Sequence, residues 1–194
     1  AGAAGLGPAG GAAAALGLAL TPIGWLFLVA STAVTALIAL FSLSYNDRRH
    51  ATAIAPLWTL LMAANVGIFT ASHWIAFLVS WEVMGFLSFF IIAHGEKRSF
   101  RAALYYYALS LVGTGALLAA IFLMGGASGT LDMPASIAAM RGLWGARPGL
   151  VTLVATLLVV AFAAKSAIGP FYMWPPRAHA EAPDDFSAFL SGVM

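Results

Sequence analysis

The sequence predicts an all-α protein, a polytopic transmembrane helix bundle with a discontinuous helix after Lys165. Three observations predict it. Hydrophobic residues make up 62% of the 194 and charged ones 8%, whereas a soluble domain carries about 25% charged residues. Mean hydropathy is +0.94. The apolar runs are continuous rather than alternating, which selects helices over strands. The lipid bilayer is therefore the solvent, and every backbone polar group must be satisfied internally. A net charge of +2 gives no reason to expect nucleic acid as a partner. The lack of cysteine excludes disulfides, thiolate zinc sites and thiolate-held iron–sulfur clusters within the chain.

Residues 1–21 are an Ala/Gly-rich remnant or loop, without the basic start of a signal peptide. Residues 22–194 read as a partial transmembrane domain of about five spans plus the start of a half-helix. The first span covers 22–45, with Pro22 suited to a helix start. The second covers 53–71 and the third 74–93. The fourth covers 102–124, and a connection with Pro134 and Pro148 fills 125–148. The fifth runs from Gly149 to about Gly169, and a half-helix starts near Pro183. The chain stops at Met194 inside an apolar segment, so it reads as a piece of a longer protein.

Basic residues orient the bundle. Arg48, Arg49, Lys97, Arg98 and Arg101 fall on one face, Arg141 and Arg147 on the other. Basic loops stay inside, so loops 46–52 and 94–101 are expected to be cytoplasmic.

Two ionisable residues sit within spans, Glu82 and Lys165. Each costs about 2.5–3.5 kcal/mol on insertion scales, so each is a functional candidate. Glu82 lies about 13 Å into its helix, near the midplane. Gly85, one turn on, allows a close helix approach on the same side. A buried carboxylate whose cationic partner comes and goes is a switchable proton site; a carboxylate locked to a fixed donor is only structural. Lys165 has two readings as well. It is a proton carrier buried at a helix break, or a lysine snorkelling to the interface. The break favours the first, because Pro170 and Pro175-Pro176 cannot continue a helix. Irregular backbone at membrane depth lines protein or a wet cavity. At that depth Arg177, His179, Glu181, Asp184 and Asp185 form a polar axis, a secondary proton path beside Lys165. In a water-facing loop they are a solvated cluster.

His73 and His94 flank one span at opposite interfaces, so they cannot share a haem. Tyr105, Tyr106 and Tyr107 read as an interfacial aromatic belt. Ser110, Gly113 and Thr114 read as helix packing. The sequence offers no cofactor site and no metal cluster.

Three stretches carry a family resemblance. "SWEVMGFLSFFII", "RAALYYYALSLVGTGALL" and "AKSAIGPFYMWPPRAHAEAPDDFSAFLSGVM" resemble, in order and spacing, the antiporter-like subunits of respiratory complex I and its relatives. These are the membrane-bound hydrogenases of the hydrogenase-4 and formate-hydrogenlyase type and the multisubunit Na+/H+ antiporters. The resemblance covers roughly 20–194. It implies that Glu82 and Lys165 form a proton-relay pair, with Glu82 the modulating acid and Lys165 the carrier. It implies a broken lysine helix whose second half carries the Ser187-Ala188 segment. It also implies membrane partners, a peripheral redox module, and transport of protons or Na+ across a cell inner membrane. On this reading the chain is a subunit of a redox-driven ion translocase without a redox centre of its own. "RAHAEAP" followed by "SGVM" is nearest the hydrogenase type. Trp174-Pro175-Pro176 departs from the usual W-L-P, and Asp184-Asp185 replaces a small or polar pair. Two alternatives stand beside this: a Na+(K+)/H+ antiporter subunit, and a structural membrane scaffold with a vestigial charged pair.

Overall fold

The computed structural model describes residues 15–45, 48–94 and 99–193. Of the basic loop residues, Lys97 and Arg98 lie outside the described set, as do residues 1–14. Among the described residues eight helices follow in order: α1 Pro22–Tyr45, α2 Arg48–Thr70, α3 Trp74–Ala93, α4 Ser99–Ser128, α5 Met133–Leu143, α6 Pro148–Lys165, α7 Pro175–Glu181 and α8 Asp184–Gly192. Four of them, α1, α3, α4 and α6, are long and apolar enough to cross a membrane. The apolar part of α2, Ala55–Thr70, is shorter; Pro56 sits inside that helix near its start.

The helix ends follow local chemistry. His73 caps α3, its Nδ1 accepting from the Ile75 amide at 3.2 Å. His94 closes the other end, with Nδ1 2.8 Å from the Phe90 carbonyl. The two histidines are thus caps at opposite ends of one helix. The 125–148 connection is not plain loop. Helix α4 runs on to Ser128, and α5 starts after Asp132, whose Oδ1 accepts from the Ala135 amide at 2.9 Å. An aspartate cap followed by proline in the first turn is a helix-start signal.

The expected fifth span ends early. Helix α6 stops at Lys165, and Ala167 takes a left-handed φ of 56°. The Ile168 amide then reaches back to the Ala163 carbonyl at 2.9 Å. This is a Schellman stop, made with alanine where glycine is usual. A helix starts beside Pro183, as expected, and carries Ser187-Ala188; between it and the break lies a short further helix, α7, that the sequence did not announce. Trp174, at its start, packs on Tyr106 with centroids 5.1 Å apart, and Arg177 lies 4.2 Å over the Tyr105 ring. Helix α8 is a separate element that turns back. It begins beside the end of α1, where Ser42 donates to Asp185 at 3.0 Å. It ends with Gly192 against Val34.

One end of the bundle is sewn together by backbone. The Ala19 amide donates to Thr70, Ser72 to Gly17, Trp74 to Leu131 and Met133 to Ser72, at 2.6–2.9 Å. Three connections thereby share two short bridges, Leu18 with Ala71 and His73 with Asp132. Close approach continues below: a Cβ at Gly24 would collide with the Phe69 carbonyl. Gly24→Ala is expected to cost about 1–3 kcal/mol, the usual penalty of overpacking. A lower melting temperature of the purified protein would register it.

Helix α4 packs along α3 and α6, and α2 along α3. Among the described residues the buried apolar side chains form two clusters. One, toward the sewn end, holds Trp74, Phe77, Trp81, Leu117, Met124 and Ala161. The other holds Met84, Leu87, Ile91, Ala103, Tyr106, Trp174 and Phe189. A thin polar layer separates them. On the outside, α1 presents Ile23, Leu26, Leu37 and Leu40, a face suited to lipid or to neighbouring apolar helices.

Candidate functional site: a charged layer between two apolar clusters

The layer is built from three helices. Helix α3 supplies Trp81, Glu82 and Gly85; α4 supplies Tyr106, Ser110, Gly113 and Thr114; α6 supplies Lys165. Positions 106, 110 and 114 recur every fourth residue, so they stack on one side of α4. Gly113 lets α6 approach: a Cβ there would sit 3.0 Å from both the Ala161 carbonyl and the Ala164 Cβ. Gly85 lies level with the lysine: a Cβ there would stand 3.5 Å from Lys165 Nζ, an ordinary contact.

Lys165 is 7% exposed. Its ammonium donates to Tyr106 Oη at 2.9 Å and to Ser110 Oγ at 3.4 Å. It also lies 5.2 Å from the Tyr106 ring centroid and 5.5 Å from that of Trp81. Gly85 marks its depth, about 16 Å from the Trp74 end of α3 and about 12 Å from the Ala93 end. A snorkelling lysine would reach the end of the bundle; this one ends in the middle of it. Glu82 is half-buried in the same layer and accepts a hydrogen bond from Thr114. Trp81 Nε1 donates to the same Thr114 oxygen at 3.2 Å. Among the described residues, then, the ammonium and the carboxylate are held by different hydroxyls one helical turn apart.

The break sits directly beneath the lysine. Ending α6 frees carbonyls that no further turn can satisfy. Trp174 meets one of them, its Nε1 donating to the Ala164 carbonyl at 3.0 Å. Trp174→Phe should leave that buried acceptor orphaned and destabilise by about 1–3 kcal/mol. Thermal melting of the assembled protein checks this; an unchanged midpoint would count against it.

The secondary candidates are dispersed around α7 and α8. Arg177 stacks on Tyr105 and lines one groove with Arg101 and Glu181. His179 Nδ1 lies 2.8 Å from Ser187 Oγ. Asp184 is exposed. Asp185 is 1% exposed; it accepts from Ser42 and from the Phe186 amide, tying α8 to α1. Among the described residues none of these five is a hydrogen-bond partner of Lys165; adjacent tyrosines, Tyr105 and Tyr106, connect Arg177 to it.

Two expectations about α4 change. Tyr106 is 1% exposed and serves the lysine rather than an interfacial belt. Ser110 and Thr114 line the charged layer, while Gly113 is the packing residue. The signal that would have found them is the four-residue spacing of hydroxyls on a helix facing both ionisable residues. A charged group held at mid-depth by hydroxyls, beside interrupted backbone, can take up and release a proton without leaving the bundle.

Residues 71–194 match the model of a family described as NADH:quinone oxidoreductase/Mrp antiporter, transmembrane. The chain is 34% identical over 160 residues to hydrogenase-4 component B of Escherichia coli, covering 80% of this chain and 23% of that protein. It resembles a chain of the membrane-bound sulfane sulfur reductase, an archaeal respiratory membrane complex, with a TM-score of 0.76 and 31% identity over 91% of this chain and 28% of that one. It also resembles a chain of the Mrp complex from Dietzia sp., with a TM-score of 0.82 and 28% identity over 91% and 20%. The chain thus spans about a quarter of the length of these relatives.

Proposed function

The chain belongs to the NADH:quinone oxidoreductase/Mrp antiporter transmembrane family, and from that premise we propose that it is a proton-translocating membrane subunit of a redox-driven complex, nearest the hydrogenase-4 type. One observation carries the reading: the Lys165 ammonium is buried on two hydroxyls at mid-depth, immediately before a helix break, with Glu82 in the same layer. Lys165 is the proton carrier and Glu82 the acid that modulates it. A carboxylate drawn close favours the charged ammonium, and its withdrawal favours proton release. Redox chemistry supplied by a peripheral module shifts that separation, and the chain needs no redox group of its own. The similarity to hydrogenase-4 component B supports the choice of complex. Arg177, His179, Glu181, Asp184 and Asp185 offer a path from the break toward the basic loops. Those loops, 46–52 and 94–101, face the cytoplasm of a cell inner membrane, as their excess of Lys and Arg favours.

The test uses the intact complex purified through the native subunit. Mass spectrometry should find hydrogenase-type redox subunits, and inverted vesicles should take up protons when the electron donor is added, with or without Na+. A second reading, a Na+(K+)/H+ antiporter subunit, is favoured by the likeness to the Mrp complex. Proton movement driven by a sodium gradient without any donor, and co-purification of membrane subunits alone, would establish that reading and exclude the first.

A further inference from the structure

One side chain touches both halves of the charged layer. Trp81 is 4% exposed, and Phe77 and Phe162 pack against it with ring centroids 5.7 Å away. Its ring faces the Lys165 ammonium at 5.5 Å, within reach of a cation–π contact. Its edge donates Nε1–H to Thr114 Oγ1 at 3.2 Å. An indole N–H can only donate, so the threonine oxygen accepts there. A hydroxyl has one proton, and Thr114 gives it to Glu82 Oε1. With Glu82 ionised, the order of donation therefore runs from indole to hydroxyl to carboxylate.

This order has an alternative that the sequence permits. A threonine inside a helix readily turns its hydroxyl back to the carbonyl four residues earlier, as Thr32, Thr35, Thr59, Thr70 and Thr156 do here. Thr114 instead reaches across to α3. We propose that Trp81 and Thr114 form a latch that holds Glu82 apart from Lys165, with the indole sensing the ammonium on its face. When the ring turns, its N–H leaves Thr114. The threonine then bonds its own helix, and Glu82 is free to approach the lysine. Both are positioning residues, and the inference rests on the relay reading of Glu82 and Lys165 given above. Among the described residues, Tyr107 of α4 is within electrostatic reach of Glu82, and the hydrogen-bonded pair of Lys165 from α6 and Tyr106 from α4 shares its layer.

The experiment uses the full-length subunit in its native complex. Infrared difference spectra follow the protonated-carboxyl band of Glu82 against pH, assigned by its loss in Glu82→Gln, beside donor-driven proton uptake. Thr114→Val replaces a hydroxyl with a methyl of the same shape, and Trp81→Phe keeps an aromatic face but removes the N–H. Each should move the carboxyl titration by about one pH unit, tenfold in proton affinity, as loss of a hydrogen bond in a charged network does. The double variant should move it no further, and Thr114→Ser should restore the wild-type profile. A wild-type profile in Thr114→Val, or additive shifts in the double variant, would overturn the latch. Should Trp81→Phe fail to assemble, Thr114→Val and its serine rescue decide alone. Lys165→Ala separates the two levels. Normal proton uptake in that variant rejects the relay itself, whereas a dead Lys165→Ala with unshifted latch variants rejects only the latch.

Discussion

Replacing Lys165 with alanine is expected to abolish donor-driven proton uptake while the complex still assembles. The loss expected from deleting a positioned proton carrier is on the order of 10²–10⁴ in rate. Assembly survives because the groups that held the ammonium have other options. Ser110 can turn back to its own helix. The Tyr106 ring keeps its contact with Trp174. Lys165→Met sharpens the test, since it keeps an apolar stem of similar reach and removes only the charge. It should be as inactive as alanine and at least as stable, because a buried charge is costly to keep in a membrane span. Assembly is read by co-purification of the partner subunits, and uptake by a pH dye in inverted vesicles. Wild-type uptake in both variants would falsify the proton-carrier role.

Glu82→Gln should lower coupled uptake at least about tenfold without unfolding the layer. The amide keeps the carboxylate's shape, and its oxygen can still accept from Thr114. What disappears is the charge that, in the proposed relay, modulates Lys165 by its distance. The variant therefore separates modulation from architecture. A scaffold with a vestigial pair predicts unchanged uptake. A relay predicts loss, with melting temperature unchanged or raised, since a neutral group is cheaper at mid-depth.

The long spans were legible because nothing in them competes. Helices α1 and α3 begin and end where the apolar run does, at Pro22–Tyr45 and Trp74–Ala93. The end of α6 was not, because its stop uses Ala167 in a conformation that glycine normally marks. The nearest glycine and proline, Gly169 and Pro170, drew the boundary outward. Helix α5 was missed although Asp132 and Pro134 announce it, because a short helix in a membrane connection has no span-like hydropathy. Glu82 and Lys165 stood out as charges among apolar neighbours. Their hydroxyl partners did not, since serine and threonine are routine in packed membrane helices. Only the facing of α3, α4 and α6 gives those hydroxyls a task. The indole of Trp174 meeting the Ala164 carbonyl depends on how the broken chain folds back, which no local pattern encodes.

The backbone stitching at one end makes α3 a lever with a fixed pivot. A rod pinned at the Trp74 end moves in proportion to distance from the pin. The level of Gly85 and the lysine is a little over half way along, by helical rise. A sideways push delivered at the Ala93 end by a neighbouring subunit therefore reaches Glu82, which rides on α3, reduced to about half, while Lys165, on α6, is not carried with it. A two-ångström shift of the loop end would become roughly one ångström between the carboxylate and the ammonium. That is a displacement on the scale at which a hydrogen bond is made or broken.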